Sequence, residues 1–163
     1  DSAEAAVKAF ESGAGVVVFA TVGDPSVYST FSYLAAHVAE RMPAVEVEVI
    51  PGITAMQAVA ARSRTPLVEG TESLMLVPVT AGLNGLEDAL DSADTVVAYK
   101  GGRHLPEVSR LLRSKKRDGV IGVQIGMADE QLIDLDELDQ DIRMPYFSTV
   151  LAAPRRGETG GRL

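Results

Sequence analysis

Short apolar segments alternate with amphipathic segments along the whole chain. Ala, Val and Phe recur at helical spacing in residues 3–12, which predicts a helix that ends at Gly13. The run "GVVVFA", residues 15–20, is continuously apolar and rich in β-branched residues, and it predicts a strand buried on both faces. The run "VEVEVI", residues 45–50, alternates and then stops at a Pro-Gly pair, which predicts another strand.

The order of these elements predicts an α/β protein. The first 65 residues run helix, strand, helix, strand, helix, and this alternation indicates a parallel sheet with crossover helices. The helix at 54–63 is rich in small residues and is expected to pack tightly on a sheet. A boundary near residues 66–72 separates a second α/β layer. The predicted helices are 3–12, 27–41, 54–63, 86–93 and 106–116, and the predicted strands are 15–20, 45–50, 73–80, 94–100, 119–126 and 146–153.

Composition limits the chemistry. The chain has 163 residues, 46% of them hydrophobic, which suits one compact unit or two small ones. There is no cysteine, and this excludes disulfides, thiolate zinc sites and cysteine nucleophiles together. Only two histidines are present, so we expect no metal site built on histidine.

The charge of the chain bears on its partners. A net charge of -8 argues against nucleic-acid binding, which needs a basic face. It does not exclude a small anionic substrate, because a local cluster of Arg and Lys can act against the global sign. No apolar run reaches the roughly 18 residues that a membrane span needs, and no signal-peptide pattern opens the chain. We therefore expect a soluble, cytoplasmic protein that binds no membrane.

Polar and glycine residues follow the first two predicted strands. Gly23, Asp24 and Pro25 come after one strand, and residues 51–54, "PGIT", come after the next. In parallel sheets, ligands bind beyond the carboxyl ends of strands. Gly allows a positive φ, while Asp and Thr either cap the next helix or accept hydrogen bonds from a ligand. For each stretch alone, simple helix capping remains an open alternative.

Two charged stretches occur in the second half. Residues 100–104, "KGGRH", follow a predicted strand and either bind carboxylates or form a basic turn in solvent. They lack the phosphate-loop pattern, and the chain has no Gly-x-Gly-x-x-Gly fingerprint. Residues 129–141 carry seven acids without the ligand spacing of an EF-hand, so a solvated acidic face is favoured over a cation site. No serine has a Gly-x-Ser-x-Gly setting, and we assign no catalytic residue.

Four stretches together resemble the tetrapyrrole (corrin/porphyrin) methylases, which use S-adenosylmethionine. The resemblance covers roughly residues 3–155 and is closest to the branch that methylates precorrin-2 at its C-20 meso carbon. The continuation Tyr-Ser-Thr after Gly-Asp-Pro is the more specific part of the first stretch. The stretches are "GDPSVYSTFSYL", "VEVIPGITAMQAVAARSRTPLVEG", "DTVVAYKGGRHLPEVSRLLR" and "MPYFSTVLAA".

The resemblance implies a fold of two α/β/α domains with the cofactor cleft between them. Residues 1–68 would be the remainder of the N-terminal α/β domain, residues 69–155 the C-terminal α/β domain, and residues 156–163 a flexible tail. The family usually opens with a strand and a Gly-x-Gly-Pro-Gly-Asp loop that these residues do not contain. The first domain is therefore expected to be incomplete here.

The resemblance also implies a function. We expect methyl transfer from S-adenosylmethionine to C-20 of precorrin-2, or of cobalt-precorrin-2, in cobalamin biosynthesis, by a homodimer. The alternatives are a methylase acting at another precorrin position, or an inactive fragment that only folds and dimerises. Arg62, Arg64, Arg103 and His104 are the local cations available to a substrate that carries many carboxylates.

The site residues follow from the resemblance, position by position. No proton acceptor is assigned. Tyr28, Ser29 and Arg103 are expected on the tetrapyrrole side. The expected cofactor-binding residues are Gly23, Asp24, Val27, Thr54, Ala55, Tyr99, Lys100, Met127, Ala128, Pro145 and Tyr146.

Overall fold

A computed structural model describes residues 2–80, 82–100, 102–138 and 144–156. By its internal contacts the chain divides into two compact units, Asp1–Thr54 (unit 1) and Ala55–Leu163 (unit 2). No helix among the described residues is both long and apolar enough to cross a membrane.

Unit 1 contains α1 (Ser2–Glu11) and α2 (Phe31–Arg41). Unit 2 contains α3 (Ala55–Ser63), β1 (Leu74–Pro78), α4 (Asn84–Ser92), β2 (Thr95–Tyr99), α5 (Leu105–Ser114), β3 (Val120–Val123), β4 (Gln131–Asp134), β5 (Ser148–Ala152) and two short 3-10 helices, Gly102–His104 and Leu135–Glu137.

Unit 1 is held together by its two helices. The apolar face of α1 supplies Ala6 and Val7, which are buried against Val38 of α2. The helical spacing of these residues is the reason that α1 forms where the sequence predicts it. Arg41 also reaches Glu4 across the pair, with Nη1 and Oε2 2.9 Å apart. Both side chains are well exposed, so this ion pair adds little to stability.

The two strands predicted in unit 1 are wrong. The structure describes residues 15–20 and 45–50 fully and assigns no strand to either. Val18 is 84% exposed and Ile50 74%, so these segments are not buried on both faces. The backbones of 16–20 and 46–50 make no backbone hydrogen bond to any described residue. An apolar or alternating pattern selects residues that suit a sheet, but a strand also needs a neighbour to pair with.

The same two segments line one open cavity of about 1080 Å³ within unit 1. Its wall is mostly apolar and includes Val16, Phe19, Val47 and Val49. Residues of α2, such as Leu34, complete the lining. Unit 1 therefore exposes several large apolar side chains around this cavity, together with polar ones such as Glu46 and Glu48.

Unit 2 is built on a mixed sheet with the strand order β1-β2-β5-β3-β4. Strands β1 and β2 are parallel, with Leu74 opposite Thr95. Strand β5 is antiparallel to both β2 and β3, and β4 is antiparallel to β3. The inner strands β2 and β5 are buried along their whole length, including the polar residues Thr95, Ser148 and Thr149.

The directions of the strands define one functional edge of this sheet, which we call the ligand edge. Because β1, β2 and β3 run the same way, their carboxyl ends lie at one edge, together with the amino ends of β4 and β5. The segments that follow or precede these ends are 100–104, 124–130 and 144–147. Loops at such an edge are where α/β sheets bind ligands.

Helix α3 packs directly on this sheet. Val59 is fully buried, and its Cγ2 occupies the space that a Cβ at Gly122 of β3 would take. Only glycine at position 122 lets the helix approach the strand this closely. The small residues of α3 and the missing side chain of Gly122 act together, and the predicted tight packing on a sheet is confirmed.

Most other predicted elements of unit 2 occur within a few residues of their expected bounds. Strand β4 and a 3-10 helix lie inside the run 129–138, and four of the five acids there, Asp129, Asp134, Asp136 and Glu137, are exposed, as a solvated acidic face requires. Residues 139–141 of that run, and residue 101 of "KGGRH", lie outside the described residues. The helix predicted from residue 27 begins at Phe31, since 24–30 form turns.

The division at Thr54 differs from the domain boundary expected at 68/69, which stays a prediction. The structure places α3 in unit 2 because of its packing on β3. Arg156, the first residue of the expected tail, is held: its guanidinium contacts Glu72, with Nη2 and Oε2 2.6 Å apart, and Pro66 O at 3.1 Å. The rest of the tail, 157–163, lies outside the described residues.

Replacing Gly122 with alanine should destabilise unit 2. The added Cβ would collide with Val59 and lie 2.8 Å from Ile125 Cγ1, so helix and strand must separate. We expect a loss of about 1–3 kcal/mol in the free energy of unfolding, measured with guanidinium. Gly85→Ala in α4 is the control, since its nearest neighbour atom is 3.9 Å away. Equal stability of the two variants would contradict this account of α3.

Replacing Val18 with lysine should reduce binding of the dye anilinonaphthalene sulfonate. Val18 lines the apolar cavity of unit 1, and its charged replacement would make that surface polar. We expect the fluorescence enhancement to fall by roughly half. Val22→Lys is the matched control, because Val22 is 72% exposed but does not line the cavity. An equal fall in both variants would show that the cavity is not the dye site.

Candidate functional site

In unit 1, the structure brings together the two glycine-containing loops that the sequence singles out. Asp24 Oδ2 accepts the Gly52 N–H at 2.8 Å, and Oδ1 accepts the Ser26 N–H at 2.8 Å and the Ser26 hydroxyl. Gly23 has φ +78°, and a Cβ at Gly52 would collide with the Gly23 carbonyl oxygen. Gly52 is therefore needed for the close approach of the two loops and Gly23 for its positive φ, and the Asp24 hydrogen bonds hold the loops together.

These hydrogen bonds set the charge of Asp24. The Ser26 hydroxyl, followed by the Gly52 and Ser26 backbone N–H groups, lowers the pKa of Asp24 below its ordinary value of 3.8. The carboxylate is therefore ionised at neutral pH and stabilised in the folded chain. Neither simple helix capping nor direct ligand contact alone describes this residue: its first role is to join two loops.

The expected tetrapyrrole-side residues of unit 1 lie on the turn after Asp24. Tyr28 is exposed and has φ +51°, a conformation that residues other than glycine seldom adopt. The Ser29 hydroxyl lies 3.1 Å from Thr21 Oγ1 and accepts the Phe31 N–H at 3.2 Å. Val27 is half-buried on the same turn, and Thr54 is buried at the end of the unit.

In unit 2, Tyr99 and Lys100 lie where β2 reaches the ligand edge. Tyr99 is only 8% exposed, and its hydroxyl oxygen accepts the Met56 N–H of α3 at 3.0 Å. Ala55, the first residue of α3, is therefore close to this end of β2. Lys100 has φ +59°, and Gln124 at the corresponding end of β3 has φ +49°. Strained backbone of this kind concentrates at functional sites.

The loop after β3 carries the next two expected cofactor residues. Met127 is 40% exposed, Ala128 follows it, and the Met127 N–H donates to Gln124 O at 2.9 Å. Glu130 closes the loop, since its Oε2 accepts the Gly126 N–H at 2.7 Å. Its Oε1 pairs with Arg62 Nε of α3 at 2.8 Å.

The segment before β5 completes the ligand edge. Pro145 lies against Gly102, where any Cβ would collide with the Pro145 carbonyl oxygen. The Gly102 carbonyl accepts the Met144 N–H at 3.1 Å, and Ser148 Oγ donates to Pro145 O at 2.7 Å. Tyr146 is exposed and stacks edge-on against the next aromatic ring. The edge thus presents apolar side chains beside polar backbone.

The expected site residues fall into two groups, one in each unit. The contacts above join the loops of Asp24 and Gly52 in unit 1, and in unit 2 they join Tyr99 to α3 and Pro145 to Gly102. Sequence reasoning missed Gly52, Met56 and Glu130 as organising positions. It took Gly52 as the end of a strand, Met56 as an ordinary residue of the helix at 54–63, and Glu130 as part of a solvated acidic run. Unit 1 contains Gly23, Asp24, Val27, Tyr28, Ser29 and Thr54, and unit 2 contains Ala55, Tyr99, Lys100, Arg103, Met127, Ala128, Pro145 and Tyr146.

The arginines that the sequence offered to a substrate differ in whether they form an ion pair. Arg62 pairs with Glu130, although its side chain stays 59% exposed, and its role toward a substrate stays a prediction. Arg103 is exposed beside the ligand edge, and it makes no ion pair or hydrogen bond with the part of the chain that the structure describes. Arg64 is exposed as well, at φ +55°.

These features define an α/β protein with glycine-containing, polar loops in unit 1 and at the strand ends of unit 2. The family model described as Tetrapyrrole (Corrin/Porphyrin) Methylases matches residues 1–139. The chain belongs to this family. The α/β fold and the family expected from the sequence are both confirmed.

Two relatives agree in their names on one ring position. The chain is 37% identical over 152 residues to the Precorrin-2 C(20)-methyltransferase of a Sinorhizobium species, covering 92% of this chain and 60% of that protein. It is 36% identical over 141 residues to the Probable cobalt-precorrin-2 C(20)-methyltransferase of Methanocaldococcus jannaschii, covering 84% of this chain and 58% of that protein. The chain thus spans less than two thirds of the length of these relatives.

The fold is also that of a solved structure. The X-ray structure of a cobalamin biosynthetic enzyme, cobalt precorrin-4 methyltransferase, superposes with a TM-score of 0.75 and 18% sequence identity. The match covers 93% of this chain and 69% of that one. At this identity the likeness bears on the fold alone.

The Asp24 contacts predict a pH-dependent stability. A carboxyl whose folded pKa lies below its unfolded value of 3.8 contributes stability above that pH and loses it as the pH falls through the folded pKa. Asp24→Asn should therefore lower the urea midpoint at pH 7, and the difference from the unsubstituted chain should shrink below about pH 4. Glu11→Gln, on an exposed side chain of α1, is the control. A difference that is constant from pH 7 to pH 3 would refute the assignment.

Proposed function

We propose that the full-length protein transfers a methyl group from S-adenosylmethionine to the C-20 meso carbon of precorrin-2 or cobalt-precorrin-2 in cobalamin biosynthesis. The observation that carries the proposal is the 37% identity to a precorrin-2 C(20)-methyltransferase over 92% of the chain. The relative from M. jannaschii, named for the same carbon, supports it. The continuation Tyr28-Ser29-Thr30 after Gly-Asp-Pro, on which the resemblance to the C-20 branch depends, agrees with it.

The residues of the chain fit a sulfonium cofactor. Methyl transfer needs alignment of the methyl group with the attacking carbon, and it needs dipoles that hold the donor in place. The loops of Gly23 and Gly52 bring backbone groups close together without side chains between them. In unit 2, Met127 and Tyr146 offer exposed apolar surface beside polar backbone, which suits a purine ring. S-Adenosylmethionine, when bound, supplies the methyl group.

The substrate assignment depends on charge and exposure. A tetrapyrrole with many carboxylates needs cations that are not already paired. Arg103 at the ligand edge meets this requirement, whereas Arg62 would first have to leave its ion pair with Glu130. Tyr28 and Ser29 are proposed on the tetrapyrrole side in unit 1. We assign no proton acceptor for the meso carbon.

Two alternatives to methyl transfer at C-20 remain to be tested. The protein methylates another position of the precorrin ring, or residues 1–163 alone fold and dimerise without turnover. The second is favoured for this stretch alone by its coverage of only 60% of the Sinorhizobium protein. For the full-length protein we propose a homodimer in the cytoplasm, to be checked by analytical ultracentrifugation and cell fractionation.

Cofactor binding is tested by calorimetry with S-adenosylhomocysteine on the full-length protein. We expect binding at one site per chain, and Asp24→Ala should weaken it about fivefold or more, because the loops of Gly23 and Gly52 lose their link. Glu11→Ala, exposed on α1, is the matched control and should bind normally. The absence of any heat with the unsubstituted protein would overturn the cofactor assignment.

The position of transfer is decided in the same preparation. Precorrin-2 and its cobalt form are incubated separately with cofactor labelled in the methyl group, and the products are analysed by mass and carbon NMR. Label at C-20 is expected. Label at another carbon would show that the protein methylates a different position of the precorrin ring. Binding of the cofactor without transfer to either substrate would reject the proposed reaction.

A further inference from the structure

Tyr99 makes a contact that its assignment to the cofactor does not predict. Its hydroxyl oxygen accepts the Met56 N–H at 3.0 Å, and the side chain is 8% exposed. Met56 is the second residue of α3, and the first four N–H groups of a helix have no acceptor within that helix. Tyr99 supplies the acceptor from a different element, the end of β2.

Glu130 makes the complementary contact at the other end of α3. One carboxylate oxygen pairs with Arg62 in the last turn of the helix, and the other accepts the Gly126 N–H in the loop after β3. Its side chain is 27% exposed, so it is not part of a freely solvated acidic face. A single carboxylate therefore joins the helix to the loop that carries Met127 and Ala128.

Between these two contacts, α3 lies directly on the sheet. Val59, in the middle of the helix, packs against Gly122 of β3. The Val59 contact is apolar and fixes the distance between helix and sheet. It does not by itself fix the rotation of the helix or its position along its axis, because apolar packing is not directional. The hydrogen bond from Met56 to Tyr99 at the start of the helix and the ion pair of Arg62 with Glu130 in its last turn add contacts at defined positions along it.

We infer that Tyr99 and Glu130 are positioning residues that hold α3 in register with the ligand edge, so that the two parts of the cofactor site in unit 2 keep a fixed geometry. Ala55, at the start of the helix, and Met127 and Ala128, in the loop, are then parts of one rigid arrangement. The inference rests on the proposed function for its effect on S-adenosylmethionine, but the helix contacts themselves are independent of it.

The energetic argument favours Tyr99 as the stronger of the two. Tyr99 is buried and its hydrogen bond is part-buried, and removing the hydroxyl leaves the Met56 N–H without this acceptor. The Glu130–Arg62 pair is more exposed and is worth less on its own. The hydrogen bond from the Gly126 N–H to Glu130 adds to the stabilisation from the Arg62 pair, because a charged acceptor strengthens a hydrogen bond.

The first test concerns the helix alone and uses the chain of residues 1–163. Amide hydrogen exchange is measured by NMR for Tyr99→Phe and for the matched control Tyr33→Phe, whose side chain is 78% exposed on α2. We expect exchange of the Met56 amide to become about tenfold faster in Tyr99→Phe and to be unchanged in the control. An unchanged Met56 amide in Tyr99→Phe would overturn the inference, whatever the protein binds.

The second test concerns the ligand and uses the full-length protein. Calorimetry with S-adenosylhomocysteine compares Tyr99→Phe with Tyr33→Phe, and Glu130→Ala with Asp129→Ala, an exposed neighbour. We expect the Kd to rise about threefold to tenfold for Tyr99→Phe and Glu130→Ala, with the binding stoichiometry unchanged. The two controls should bind as the unsubstituted protein does.

The stoichiometry separates positioning from a general loss of folding. A purely structural role would reduce the fraction of protein that binds and leave its Kd unchanged, and that result would overturn the inference. Unchanged Kd and stoichiometry in both variants would also overturn it while leaving the proposed function intact. If the unsubstituted full-length protein binds no S-adenosylhomocysteine, the proposed function fails, and the effect on the ligand inferred here fails with it.

Discussion

The close packing of α3 on β3 is the contact on which the arrangement of unit 2 depends. It exists because Gly122 has no side chain and Val59 fills the space. With the helix at this distance, the hydroxyl of Tyr99 reaches the first turn of α3, and Glu130 reaches its last turn. A bulkier residue at position 122 would remove both contacts together. A helix that directly follows the loop of Gly52 and Thr54 thus belongs structurally to the sheet of the second unit.

In unit 1, by contrast, two segments with strand-like sequences form no strand with the described residues. Residues 15–20 and 45–50 have the composition of strands, yet their backbones make no pairing with the described residues. Their side chains surround an apolar cavity and remain exposed. Burial is a property of what lies next to a residue, so composition alone could not predict it. The loops that follow these two segments are nevertheless joined to each other, because Asp24 accepts a hydrogen bond from the Gly52 N–H.

The candidate site was predictable in its residue types and only partly in its roles. Glycine and small polar residues after predicted strands indicated ligand loops, and the resemblance to tetrapyrrole methylases supplied the individual positions. The joining role of Asp24, the contact of Tyr99 with Met56 and the double contact of Glu130 were not predictable. Each depends on two segments that are distant in sequence, 28, 43 and 68 positions apart for Asp24–Gly52, Met56–Tyr99 and Arg62–Glu130.

The sequence by itself determined the helices, four of the five strands of unit 2 and the family, because local periodicity and ordered motifs are properties of neighbouring residues. Tertiary structure alone decided which strands pair, that α3 belongs with the second unit, and which charges are committed. Glu130 illustrates the difference: in the sequence it is one of seven acids in a run, and in the fold it binds both Arg62 and Gly126. A hydrogen bond requires a particular distance and direction between two groups, and only the folded chain sets these.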